Sequence, residues 1–321
     1  MRKNSKIWLL IWTAALFSAC VRFEDSFTDS IFVDEPELDP ASELYPFDRW
    51  LEENYLKPYN LDFRYRMQDK GSDMDYNLVP AKLENSLEMA ILVKHLWFEA
   101  YNDVAGPDFL KQHGPRIIHL IGSAAYKPAL QTMVLGTAEA GIKITLYNCN
   151  ELNPKNIDLL NEYYFETMHH EFAHILHQKK TYPKEFETFS AGYYDPSYWQ
   201  ERTDSEAASL GFASPYGSSQ PREDFVEIIA NYIVKDSVWW TDRLRMASQS
   251  GVNRDGQVVD DPLDGQEIIE AKIDMCRKWL KESWDLDLDS LRRNVTKRQL
   301  QIDSALIEGY KKIDEYKNEQ L

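Results

Sequence analysis

Four of the chain's seven histidines, His169, His170, His174 and His177, fall within nine residues. They sit in a stretch from Asn156 to Gln178 that holds no glycine or proline and reads as one long helix. Phe172, Ala173, Ile175 and Leu176 make one side of that helix apolar, while His170, Glu171 and His174 are polar. Such a helix must bury its apolar side and turn the other towards a cleft.

The polar side reads His170-Glu171-Phe172-Ala173-His174, the pattern HExxH. Residues four apart on a helix differ by about 40° and lie about 6 Å apart along the axis. Two imidazoles can therefore converge on one metal ion, and nitrogen ligands suit zinc. Glu171 lies beside the pair and is placed to take a proton from an attacking water. A catalytic zinc needs a third protein ligand and an open position. His177 shares the face, but it lies about 10 Å along the axis from His170, so a place behind a ligand or facing substrate suits it better. The other candidates are Glu223 and Glu227, four apart at a helix start, where one carboxylate could bind and the other orient a ligand histidine. The plainer reading of these acids is a solvated first turn favoured by the helix dipole.

The surrounding chain reads as helices, then a small sheet, then helices, which is an α+β order. Residues 46–115 are mostly helical, with the clearest periodicity from Ala81 to Tyr101. Arg116–Ala125, Gln131–Leu135 and Gly141–Tyr147 are strand candidates. In the last, Ile142, Ile144 and Leu146 alternate with Lys143 and Thr145, as in an edge strand with one wet face. Such an edge could pair with an extended peptide. The aromatic-rich segment Tyr182 to Trp199 is a candidate wall for the cleft. Residues 248–264, with Asp255, Asp260, Asp261 and Asp264, lack the spacing of an EF-hand and read as a solvated acidic loop. From about 265 the tail reads as two long helices broken near Ser283–Leu288. Cys149 and Cys276 could form one disulfide or stay as buried thiols.

Formal charge is −17, and the only basic residues before Cys20 are Arg2, Lys3 and Lys6. So acidic a surface repels phosphate backbones, and nucleic acid is not an expected partner. The three basic residues precede a short apolar run, Ile7 to Phe17, too short for a permanent membrane span. Residues 1–19 are therefore read as a secretory signal. Leu16-Phe17-Ser18-Ala19-Cys20 resembles a bacterial lipobox, which implies a lipid anchor at Cys20. Residues 20–45 read as an acidic tether, and residues 46–321 as one domain.

HExxH followed by a helical Glu resembles the gluzincin class of zinc peptidases. Tyr216, Glu223 and Glu227 in the order found here are similar to the lethal-factor-like toxin peptidases. That likeness implies Tyr216 as oxyanion stabiliser, Glu223 as third ligand to one catalytic zinc with His170 and His174, and Glu227 supporting them, with Glu171 as general base. The leader, MHHEFAHILHQ and GFASPYGSSQPREDFVE together resemble the zinc metallopeptidase lipoproteins of Bacteroidota, described as substrate-import-associated. The resemblance implies a zincin-like domain with a small mixed sheet and an active-site helix. It further implies a peptide or protein substrate, an outer-membrane location facing the cell surface or the periplasm, and an uptake complex as partner. The competing expectations are a zinc amidase acting on a glycopeptide or peptidoglycan fragment, and a binding lipoprotein that keeps the fold with little turnover.

Overall fold

The computed structural model of the chain describes residues 38–67, 77–127, 132–134, 136–139, 142–248, 251–252, 258–259 and 264–318. The chain divides between Asp39 and Pro40 into two units, and the second, Pro40–Leu321, contains the described helices and strands. The expected leader, Cys20 and the tether as far as residue 37 lie outside the described residues, as do Asp255, Asp260 and Asp261.

Helix α1 (residues 45–59) and helix α2 (residues 83–105) each contain one π turn, at Glu52–Leu56 and Lys94–Phe98. Between them runs strand β1 (Asp62–Arg64). Helix α3 (Pro107–His113) opens on a proline, where the missing N–H costs no hydrogen bond, and leads into β2 (Ile117–Leu120). A hairpin of β3 (Ala125–Lys127) and β4 (Thr132–Val134) follows, then β5 (Gly136–Glu139) and β6 (Lys143–Leu146). The main sheet has the order β1-β2-β6-β5. Its first three strands are parallel, with Ile118 in register between Phe63 and Ile144, and β5 runs antiparallel to β6.

The expected edge strand is therefore misplaced. Strand β6 pairs on both sides, and Lys143, Ile144, Thr145 and Leu146 are all buried. The edge belongs to β5, whose sequence Gly-Thr-Ala-Glu carries no apolar run to announce it. Strand β1 has the same character and falls inside a segment expected to be mostly helical.

Helix α4 (residues 157–179) contains the histidine cluster, and α5 (Asp204–Ser209) is a short helix in the irregular stretch that follows. Helices α6 (Pro221–Val234), α7 (Ser237–Ala247) and α8 (Gly265–Trp284) complete the wrapping. Asp264 caps α8 by accepting from the Glu267 N–H at 2.8 Å. The tail breaks twice, since Leu288–Gln299 (α9) and Ile302–Lys317 (α10) are separate helices. Nothing between Gln299 and Ile302 is a glycine or proline, so no residue type announces the second break. Cys149 and Cys276 are free, buried thiols. Burial pushes the Cys149 thiol up to about 12, so it stays protonated at neutral pH.

One hydrophobic core runs from α1 and α2 through Ile118 and Ile144 of the sheet to Phe172, Phe225 and Ile269. Phe172 is the hinge pin of the arrangement. Trp97, Tyr101 and Phe109 meet its ring edge-on at 5.2, 5.2 and 5.9 Å. Edge-to-face pairs of this kind contribute about 0.5–1.5 kcal/mol each beyond the burial itself. They clamp the apolar side of α4 to α2 and α3, and so leave its histidine side facing α6.

Candidate metal centre

Helix α4 begins at Asn156, whose side chain accepts from the Leu159 N–H at 3.1 Å. A π turn at Asn161–Phe165 precedes the regular segment Glu166–Lys179. Such a turn rotates everything after it by about one residue step. Asn161 itself is buried and ties this bend to the end of α6, donating to the Val234 carbonyl at 3.0 Å.

Helix α6 starts on Pro221 and places Glu223 and Asp224 in its first turn. The helix dipole favours acids there. They are not a solvated turn, however: Glu223 and Asp224 are buried, as is Glu227 one turn later. Helix α6 lies alongside α4, and the carboxylates of Glu223 and Glu227 point at the histidines.

Three donor atoms converge. His170 Nε2 and His174 Nε2 are 3.1 Å apart, and Glu223 Oε2 lies 3.2 Å from each. An ion bonded at about 2.0–2.2 Å to two nitrogens and an oxygen holds them a little over 3 Å from one another. The spacing of the triangle therefore fits a zinc ion. Among the described residues, these three form the group of histidine, cysteine or acidic side chains able to hold a metal.

Each member of the triangle is held from behind. His170 Nδ1 meets Glu227 Oε1 at 2.7 Å. Glu227 in turn accepts from the Ser214 hydroxyl and from Asn231 Nδ2, the latter at 3.3 Å. His174 Nδ1 meets His177 Nε2 at 2.9 Å. Gln220 Nε2 donates to Glu223 Oε1 at 3.2 Å, leaving Oε2 for the centre. These contacts fix ring orientation and tautomer, so that each Nε2 points at the common position.

The electrostatics favour a cation at that position. Burial alone would push the His170 imidazole down, but hydrogen bonds to Glu223 and Glu227 outweigh it and raise it to about 10. Burial would raise Glu223, yet the two imidazoles hold its carboxylate well below the usual range. Glu227 is likewise lowered against its burial, chiefly by His170. Burial pushes Glu171 up, only partly offset by His170 and His174, which makes it a better proton acceptor than an exposed Glu. Its carboxylate interacts electrostatically with His170, His174, Glu223 and Glu227, which places it beside the donor triangle.

Tyr216 opens a short 3-10 turn, Tyr216–Ser219, and its ring stacks on His170 with centroids 5.8 Å apart. Burial and the neighbouring Glu223 push its phenol up, so it remains a hydrogen-bond donor at neutral pH.

His170, His174, Glu223, Glu227, His177, Glu171 and Tyr216 thus gather in one place. Four further participants have roles that the sequence does not announce. Ser214 and Gln220 lie in the segment that carries the resemblance, but neither residue type signals a role. Trp199 belongs to the aromatic stretch and touches Tyr216 edge-on at 4.9 Å. Lys272, fully buried, pairs with Asp224 at 2.6 Å across a sequence distance that no local pattern reveals. The fourth clustered histidine, His169, faces away, with Nδ1 3.0 Å from the Tyr101 hydroxyl.

No curated protein matches the chain. A solved structure from Bacteroides caccae, titled a "putative zinc-binding metallo-peptidase", is similar at 43% identity. The likeness covers 86% of this chain and 97% of that one, with a TM-score of 0.69. The family described as "Putative zinc-binding metallo-peptidase" matches residues 41–289, and the chain belongs to that family.

Proposed function

We propose that the protein is a zinc-dependent peptidase of gluzincin type, with Glu171 as general base. The observation that carries this reading is the triangle of His170, His174 and Glu223 with the Glu171 carboxylate and the Tyr216 phenol beside it. Zinc held there supplies Lewis acidity and lowers the pKa of water, which is what amide hydrolysis near neutral pH needs.

The chain's own residues do the rest. Glu171 takes the proton of the attacking water on its carboxylate and passes it to the nitrogen of the leaving amine. The Tyr216 hydroxyl donates a hydrogen bond to the carbonyl oxygen as negative charge builds there. Glu227 and His177 keep the two imidazoles aimed while this happens. An extended substrate pairs with the outer edge of β5, which has one neighbour in the main sheet. In the cell, lipid on Cys20 would hold the enzyme at the outer membrane, where it trims peptides or proteins for an uptake complex.

Digestion of a peptide library by the zinc-loaded protein tests the reading. We expect internal or terminal cleavage that stops on chelation and returns when zinc is restored. Protein that holds zinc and cleaves no member of the library would contradict it.

A further inference from the structure

Every described tryptophan except Trp199 lies in the main core or packs against it. Trp199 is half-buried and belongs to none of the hydrophobic clusters. Its ring contact is with Tyr216, the residue that stacks on His170. Folding has therefore placed a large aromatic surface beside the metal centre without using it for core packing.

The surface is also fixed in place. The Asp195 N–H donates to the Ser218 carbonyl at 2.8 Å, joining the Trp199 loop to the turn that carries Tyr216. Within the loop, the Trp199 N–H donates to the Asp195 carbonyl at 3.3 Å, and Arg202 Nη1 to the Tyr193 carbonyl at 3.0 Å. Tyr194 donates to Asp224 Oδ2 at 2.8 Å, so the loop is anchored to α6 next to Glu223. A loop held in this way costs little further entropy when a ligand packs on it.

We propose that Trp199 and Tyr216 form a subsite that selects substrates with a large apolar, preferably aromatic, side chain beside the scissile bond. Trp199 is the specificity-determining residue of the pair. The two rings meet edge to face, and a third ring or a branched aliphatic chain packed against them would bury apolar surface on both sides of the contact. The assignment deepens the peptidase reading and rests on it for its meaning, but binding tests it without turnover.

The probes are two peptide hydroxamates that differ only in carrying phenylalanine or alanine next to the zinc-chelating group. Their affinities for the zinc-loaded full-length protein are measured by titration calorimetry. We expect the phenylalanine compound to bind about tenfold more tightly, the scale on which apolar contacts discriminate. Trp199→Ala should abolish that difference with zinc content unchanged, and Trp199→Phe should retain most of it. Equal affinities in the unsubstituted protein, or an undiminished difference in Trp199→Ala, would overturn the assignment. So would Trp199-dependent capture of a chito-oligosaccharide together with indifference to the phenylalanine side chain. Failure of the peptidase reading shows separately, as absent library cleavage alongside normal hydroxamate binding.

Discussion

Glu171→Gln is expected to lower kcat/KM by about 10²- to 10⁴-fold, the usual worth of a general base, while zinc content stays that of the unsubstituted protein. Glu171 is outside the donor triangle, so the metal should not notice the change. The amide keeps the size of the carboxylate but cannot accept a proton. Burial has already raised the basicity of this Glu, which is the direction a base working near neutral pH requires. Single-turnover hydrolysis together with elemental analysis checks the pair of outcomes. Full activity in the variant would remove Glu171 from the reaction, and loss of zinc would show that it is a ligand.

Lys272→Ala is expected to destabilise the fold by about 3–5 kcal/mol, because removing one partner of a buried ion pair leaves the other charge uncompensated. Both Lys272 and Asp224 are fully buried, at 2.6 Å from each other. The ammonium also donates to the Ser190 hydroxyl and the Gly211 carbonyl, each at 2.7 Å. All three of its N–H groups are thereby used. Gly211 presents that carbonyl from a left-handed turn at φ +85°, with Ile268 packed so close that a Cβ would not fit. The network ties α8, the Trp199 loop and the first turn of α6 together, one residue from Glu223. Urea unfolding of Lys272→Ala and of Lys272→Met/Asp224→Asn separates the causes. The double variant should recover most of the loss, since its remaining polar groups carry no charge. A double variant as unstable as the single would show that packing, and not the stranded carboxylate, sets the cost.

The parts of this architecture legible in the sequence are those written in local periodicity. The two histidines of HExxH are four apart because a helix turn requires it, and Glu223 and Glu227 repeat the same spacing on the facing helix. The apolar residues between the histidines announce the buried side, which Trp97, Tyr101 and Phe109 cover. Strands β2 and β6 are visible as β-branched runs, but β6 reads as an edge because its neighbour β5 is short, small and polar. The break at Leu300 lacks glycine and proline, and Leu300 itself stands 82% exposed, so nothing in its chemistry marks a helix end. Lys272 is invisible for another reason. Its partners lie 48 to 82 positions away, and a lysine in an amphipathic helix ordinarily belongs to the wet face.

The proposed mechanism requires one zinc ion between His170, His174 and Glu223. Anomalous diffraction at the zinc edge, from crystals of the full-length protein grown with zinc, measures its position directly. We expect a single strong peak about 2.0–2.2 Å from the two Nε2 atoms and a Glu223 carboxylate oxygen. A peak coordinated by His177 in place of Glu223, or no peak between the two helices, would contradict the assignment.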